Sequence, residues 1–180
     1  EKKLQDGTFY VSASGLEGES LEFFLYENGN IPIPPYIRGG VSDEDDKNRY
    51  QTVFARETGS VAAPTAGLHF TDEVFSDLER RGIDRAFVTL HVGLGTFAPV
   101  KVDDLSDHEM HSENYFIDQE NLDLIRQAIQ EKRPIIAVGT TTLRALESCF
   151  DELQSGGFKA NEMYSTNIFL HPGVEVKSIQ

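Results

Sequence analysis

The chain has 180 residues, of which 39% are hydrophobic, enough for one main domain with a full core. No run approaches the roughly 18 to 20 apolar residues that span a bilayer, and the N-terminus carries no apolar signal region, so we expect a cytoplasmic protein that does not contact the membrane. Thirty acidic against 16 basic residues give a net charge of -14, which disfavours a general nucleic-acid-binding surface but not a local basic patch.

The first 35 residues alternate apolar and polar side chains, notably at residues 8–12 and 21–26, with Asn28-Gly29 as a turn. This pattern predicts a β-hairpin. Because a hairpin is marginally stable by itself, we expect it to lean on a larger body or to belong to a β-domain, and we expect the chain to begin within that structure. Prolines and an acidic run over residues 32–46 then predict a linker.

Beyond the linker the apolar residues recur at helical spacing. Thr71 is predicted to cap a helix that ends at Gly82, and a strand is expected over residues 86–92. A second helix is expected behind Asp118, and Pro134 stops it.

The last third of the chain predicts two more strands and a helix. The strands are expected over residues 135–138 and 168–170, and the helix between them ends at residues 156–157. Cys149 lies in the apolar row of this helix, so we expect it to fill the core. Because strands alternate with helices, the pattern predicts an α/β fold with βαβ crossovers and a largely parallel sheet.

A run of small residues precedes the first of these helices. Such residues let the backbone approach a ligand closely, which makes Thr65 and Gly67 candidate binding residues. His69 then stands at the helix entrance, where it could act as a base or as a ligand donor. The alternative is a tight turn in which His69 only hydrogen-bonds to the backbone.

A glycine-rich segment follows the strand predicted over residues 86–92. It contains His91, Gly93, Gly95 and Thr96. At the carboxyl end of a parallel strand it would lie where α/β folds bind ligands. It lacks the third glycine and the downstream acidic residue of a dinucleotide-binding fingerprint, which excludes that assignment. The alternative is a glycine-rich strand exit with a half-buried histidine.

A third loop joins the apolar strand to the last helix, where backbone N–H groups and three hydroxyls can hold an anion or a ribose. Its residues are Gly139, Thr140, Thr141 and Thr142. The lysine of a P-loop is missing. Arg144 and Glu147 follow on one helix face, either as part of the site or as an i, i+3 salt bridge.

A cluster of histidines and glutamates occupies residues 108–113. Its histidines are three residues apart, whereas a zincin helix needs them four apart, so we expect no metal. His111 and Glu113, two residues apart, would share one side of an extended segment and supply polar groups to a pocket. A solvated turn is the alternative for residues 107–109.

Five segments, taken together and in order, resemble one family. They are residues 50–54 (YQTVF), 61–70 (VAAPTAGLHF), 88–97 (VTLHVGLGTF), 110–113 (MHSE) and 136–148 (IAVGTTTLRALES). The family is that of the S-adenosylmethionine:tRNA ribosyltransferase-isomerases of queuosine biosynthesis, and the resemblance extends over residues 33–173.

The resemblance implies a transferase that moves and isomerises the ribosyl part of S-adenosylmethionine. The acceptor would be the aminomethyl group of a 7-deazaguanine (preQ1) at the tRNA wobble position, and the products would be epoxyqueuosine-tRNA, adenine and methionine. S-adenosylmethionine would be a co-substrate, with no prosthetic group. Family members are longer, and the resemblance implies a barrel-like α/β main domain over residues 34–180 and the end of a small inserted β-barrel domain over residues 1–33. We expect a monomer.

The sulfonium acidifies the adjacent ribose C5′ hydrogens, and a positioned base can remove one of them to start the rearrangement. The candidate bases are His69, His91, His111 and Glu113, with His69 or His91 as the expected proton acceptor. We expect residues 93–96 and 139–142 to hold S-adenosylmethionine and Arg144 to hold an anionic group. Carboxylates such as Glu113 and Glu147 would suit the cationic sulfonium and aminomethyl groups.

Two other interpretations stay open from the sequence. The chain could be a fragment that folds and binds ligand weakly or not at all without catalysing. It could also be a metal hydrolase that uses the cluster at residues 108–113.

Overall fold

The computed structural model describes residues 2–3, 9–10, 12, 14–15, 20–93 and 110–179. The chain divides into two units, Glu1–Ile31 and Pro32–Gln180. Within the described residues, no helix combines the length and the apolar character needed to cross a membrane.

The first unit contains a short strand pair and a helix. β1 (Lys2–Lys3) pairs antiparallel with β2 (Phe9–Tyr10), and α1 spans Leu21–Asn28. The strand predicted over residues 21–26 is therefore wrong, and Asn28-Gly29 ends a helix instead of turning a hairpin.

The cause of this difference lies at the start of α1. The side chain of Ser20 accepts a hydrogen bond from Phe23 N at 3.1 Å, which caps the helix. A cap followed by leucine and glutamate outweighs six residues of apolar–polar alternation, since such a short alternation is weak evidence for a strand.

Three helices of the second unit begin and end near the predicted residues. Thr71 and Asp118 cap their helices through side-chain oxygens, and Gly156 ends the last helix with a φ of +80°. The helices are α2 (Asp46–Arg49), α3 (Asp72–Arg80), α4 (Gln119–Gln130) and α5 (Gly139–Ser155), with 3₁₀-helices at Arg38–Gly40 and Thr65–His69.

Three strands of the second unit form an antiparallel sheet in the order β3-β4-β5. β3 spans Thr89–His91, β4 spans Glu113–Phe116 and β5 spans Tyr164–Thr166. The pairing register sets Leu90 opposite Tyr115, and it sets Glu113 opposite Thr166.

The prediction of a largely parallel sheet is wrong for these strands. Residues 135–138, predicted as a strand, belong to neither sheet in the described part of the chain, and Ile136 is 82% exposed. The predicted strand at residues 168–170 is also misplaced, since the strand lies at Tyr164–Thr166. A short apolar run predicts burial, but it does not specify which segment it pairs with.

The core lies between the sheet and the helices α4 and α5. Cys149 is 1% exposed, as predicted, and burial raises the pKa of its thiol to about 12. The buried members of this core are Leu90, Val92, Tyr115, Ile117, Leu122, Ile125, Ala145, Leu146, Cys149, Leu153 and Phe158.

Two polar side chains join the start of α4 to the segment that precedes β3. Asp118 Oδ1 accepts a hydrogen bond from Asn121 N at 2.9 Å, and Asn121 Nδ2 donates to both Asp118 carboxylate oxygens. Asn121 Oδ1 in turn accepts from Phe87 N at 2.6 Å. The capping residue Asp118 therefore also orients Asn121, whose side chain binds the backbone of Phe87 just before β3.

We expect Asp118→Ala to lower the free energy of unfolding by about 1–2 kcal/mol, because both the cap and the orientation of Asn121 are lost. Chemical denaturation of the chain measures this change. Thr71→Ala is the control: its cap bond to Val74 N is long, at 3.4 Å, and exposed, so we expect about 0.5 kcal/mol. Equal losses in the two variants would contradict the coupling to β3.

Candidate functional site

The antiparallel register gathers several predicted site residues at one end of the sheet. At this end β3 finishes at His91, β4 begins at Glu113 and β5 finishes at Thr166. Because side chains alternate between the faces of a sheet, neighbouring residues here point to opposite sides. Glu113 and Thr166 are buried on the core face with Leu90, whereas His91 lies on the other face opposite the exposed Asn114.

A buried ion pair joins the start of β4 to the first half of α5. Arg144 Nη1 contacts Glu113 Oε2, with the two side chains 13% and 3% exposed. Arg144 Nε donates to Ile168 O at 3.2 Å. Among the described residues, the buried Arg144 Nη2 has no hydrogen-bond partner. Arg144 thus pairs with Glu113 and leaves one guanidinium nitrogen for another acceptor.

Glu147 does not form the i, i+3 salt bridge with Arg144 that the spacing allows. Its carboxylate accepts hydrogen bonds from the backbone of Lys177 at 3.0 Å and of Ser178 at 2.9 Å. Burial acts to raise the pKa of Glu147, but the hydrogen bonds from Ser178 and Lys177 outweigh it, so the pKa lies below its ordinary value. Glu147 therefore tethers the segment around residue 177.

Two of the predicted loops are in direct contact. Ala66, in the 3₁₀-helix Thr65–His69, has its Cβ 3.4 Å from where a Cβ on Gly139 would stand. Gly139 adopts a φ of +85° at the start of α5, and the N-cap residue of this helix, Val138, makes no side-chain cap hydrogen bond. Among the described residues, the first backbone N–H groups of α5 thus have no capping side chain, and they lie next to the 3₁₀-helix.

Glycine is needed inside the 3₁₀-helix because of close packing. A Cβ on Gly67 would lie 2.8 Å from Phe54 Cζ and 2.9 Å from Thr52 Cγ2. Gly67 is buried by these contacts, whereas Thr65 and His69 are exposed. Gly67 therefore anchors the turn that presents its two polar neighbours to the surface.

The threonines of the third loop differ in their surroundings. Thr140 is exposed, and Thr141 and Thr142 are half-buried. Thr142 Oγ1 donates to Val138 O at 2.9 Å, so its hydroxyl proton is already used within the helix start.

His91 packs against a glycine that sequence reasoning did not single out. A Cβ on Gly59 would lie 2.9 Å from His91 Nδ1, and Gly59 has a φ of +128°. The His91 ring also packs near Phe116, with ring centroids 6.2 Å apart. In the sequence Gly59 is one glycine of a polar loop, and nothing local marks it as a neighbour of a residue 32 positions away.

The remaining predicted residues are less fully placed. Gly93 and His111 are exposed. Gly95, Thr96, His108 and Glu109 lie outside the described residues. Within the described ranges, no group of three or more histidine, cysteine, aspartate or glutamate side chains is placed to hold a metal ion.

We expect Gly59→Ala to displace the His91 imidazole, because the added methyl would lie within 2.9 Å of Nδ1, and to lower the free energy of unfolding by about 1–3 kcal/mol. The imidazole proton resonances of His91 report the displacement. Gly82→Ala is the matched control, since Gly82 also has a positive φ of +68° but no atom within 4 Å of the new methyl. Identical His91 resonances in both variants would refute the contact.

Comparison with known proteins identifies the family. Residues 2–180 match the model of a family described as queuosine biosynthesis protein. S-adenosylmethionine:tRNA ribosyltransferase-isomerases of Staphylococcus aureus strains JH9 and Newman are each 50% identical to the chain over 159 residues. The matches cover 86% of this chain and 44% of each relative, so the chain spans less than half the length of these curated relatives. The chain belongs to the queuosine biosynthesis protein family.

Proposed function

We propose that this chain carries the S-adenosylmethionine-binding part of a tRNA ribosyltransferase-isomerase. The observation that carries the proposal is Arg144, a buried guanidinium with one nitrogen lacking a partner among the described residues. The likeness to enzymes of that name supports it. The reaction would move the ribosyl part of S-adenosylmethionine onto the aminomethyl group of preQ1 at the tRNA wobble position, releasing adenine and methionine.

Arg144 is suited to the carboxylate of the methionine part of S-adenosylmethionine. A buried donor without a partner costs roughly 1–3 kcal/mol, and an anion that reaches it recovers this free energy. The Glu113 carboxylate already pairs with the Arg144 guanidinium through Nη1. A bound ligand carboxylate would therefore share the guanidinium with Glu113. The ribose would then lie toward the start of α5, where backbone N–H groups and the exposed Thr140 hydroxyl can donate.

His69 is the base that we propose. Side chains three residues apart eclipse in a 3₁₀-helix, so His69 lies on the same side as Ala66, about 6 Å further along the helix axis. Ala66 faces Gly139, and His69 therefore faces the start of α5. His91 is less suited. Glu113, which pairs with Arg144 of α5, points to one face of the sheet, and His91 points to the other face.

In this proposal His69 removes a ribose C5′ proton that the neighbouring sulfonium makes acidic. The electron pair left at C5′ forms a new bond within the rearranging ribosyl group, and the amine of preQ1 forms a second new bond to this group. Its bonds to adenine and to the methionine sulfur break, and the leaving adenine takes up the proton from His69. Histidine suits the step because it both accepts and returns protons near neutral pH. No prosthetic group takes part in these steps.

The partner would be tRNA carrying preQ1, and the rest of the assembly follows the family resemblance. We propose that residues 34–180 are part of a barrel-like α/β domain and that residues 1–33 are the end of a small inserted β-barrel domain. The protein would act as a monomer in the cytoplasm. Because the chain has a net charge of -14, local cationic groups would have to hold the tRNA.

We expect adenine to be released from S-adenosylmethionine only when the tRNA carries the aminomethyl deazaguanine, because the amine accepts the ribosyl group. Chromatography of the released base measures this. The same assay on unmodified tRNA is the control. Adenine release without the modified base, from this chain or from a full-length Staphylococcus aureus relative, would contradict the proposal.

A second candidate function is that of a fragment that binds but does not catalyse. It is favoured by the 44% coverage of the relatives. Adenine release by the full-length relative and none by this chain, with binding of S-adenosylmethionine by both, would support that alternative.

Replacing His69 separates it from the other candidate base. We expect His69→Gln to slow adenine release by about 10²-fold or more, the contribution of a positioned base, and His91→Gln to change it by less than about 5-fold. Both are measured on the protein form that is active in the preceding assay. Thermal unfolding of both variants checks that each remains folded. A loss confined to His91→Gln would reverse the assignment.

A further inference from the structure

Four hydrogen bonds form a closed circuit around Arg144. Arg144 Nε donates to Ile168 O at 3.2 Å, and Ile168 N donates to Thr166 Oγ1 at 3.1 Å. The Thr166 and Ser148 hydroxyl oxygens are 2.5 Å apart, and Ser148 Oγ donates to Arg144 O at 2.6 Å. The circuit starts at the side chain of Arg144 and returns to its own backbone carbonyl.

The protons of this circuit can be assigned because each hydroxyl has one proton. Ser148 gives its proton to Arg144 O, so the bond between the hydroxyls uses the proton of Thr166. Thr166 Oγ1 then accepts from Ile168 N. Each hydroxyl both donates and accepts, and removing either one opens the circuit.

The circuit determines the direction of Arg144 Nη2, the guanidinium nitrogen that has no partner among the described residues. A guanidinium is planar, and here Nε is held by Ile168 O and Nη1 by Glu113. Two fixed nitrogens leave Nη2 no freedom to rotate away. Glu113 and Thr166 also lie directly opposite each other in the β4–β5 pair, so both anchors share one strand register.

We propose that Thr166 and Ser148 are positioning residues for substrate recognition. Through Ile168 they hold the Arg144 guanidinium so that Nη2 meets the carboxylate of the methionine part of S-adenosylmethionine. The inference rests on the proposed function, since it assigns two further residues to the same binding site. Neither side chain contacts the reacting atoms, and both act through Arg144.

A second hydroxyl pair, which also includes a residue of β5, provides a matched control. The Ser112 and Ser165 hydroxyl oxygens are also 2.5 Å apart, and Ser165 is the β5 neighbour of Thr166. This pair is exposed on the opposite face of the sheet and has no bond to Arg144 or Ile168. Its removal takes away one hydroxyl pair from the sheet without opening the circuit.

The test compares the binding of two ligands by calorimetry, on this chain and on a full-length relative with the same residues. One ligand is S-adenosylmethionine, and the other is 5′-methylthioadenosine, which lacks the methionine carboxylate. We expect Thr166→Val and Ser148→Ala each to weaken S-adenosylmethionine binding by about 10-fold, the value of one charged hydrogen bond, and to leave 5′-methylthioadenosine unchanged. Thr166→Ser keeps the hydroxyl group, so it should bind S-adenosylmethionine as tightly as the unaltered protein does. Ser165→Ala should also bind as the unaltered protein does.

The outcomes separate this inference from the proposed function. Equal weakening of both ligands, or no weakening in Ser148→Ala, would show that the circuit serves stability alone and would overturn the inference. Ser148→Ala keeps this test available if Thr166→Val unfolds, because alanine is well tolerated inside a helix. If neither unaltered protein binds S-adenosylmethionine, the proposed function fails together with the inference; if binding is intact and only the selective loss is missing, the inference fails alone.

Discussion

The ion pair between Glu113 and Arg144 is the interaction on which the arrangement of the second unit depends. It joins the first residue of β4 to α5 in a place where both side chains are largely removed from water. Breaking such a pair leaves an uncompensated buried charge and costs roughly 3–5 kcal/mol. Because Glu113 is also paired with Thr166 across the sheet, the position of α5 and the register of β5 are tied to the same two charges.

The two faces at this end of the sheet have different surroundings. On the face toward α5, the Glu113 carboxylate contacts the Arg144 guanidinium, and the start of α5 touches the 3₁₀-helix that bears His69. On the other face, His91 rests on Gly59 and near Phe116. The alternation of side chains along β3 and β4 thus places His91 on one face of the sheet and Glu113 on the other.

The glycines at this end allow side chains of other segments to pack closely on the backbone. Gly67 packs on Phe54, Gly59 packs on His91 and Gly139 begins α5 beside Ala66 with a φ of +85°. A side chain at the first two positions would overlap its neighbour at less than 3.0 Å. The small residues of the motifs thus determine distances between segments, and Thr65, His69 and Thr140 are exposed beside them.

The sequence by itself determined the features that depend on residues a few positions apart. Thr71 and Asp118 cap α3 and α4, Gly156 ends α5, Cys149 lies in the core, and the order of the motifs indicated the family. The tertiary structure decided which distant segments meet. It made the sheet antiparallel, paired Arg144 with Glu113, which is 31 residues away, and left residues 135–138 outside the described sheets. Capping and helical periodicity are local interactions, whereas strand register and the face to which a side chain points are set only when remote parts of the chain compete for the same core.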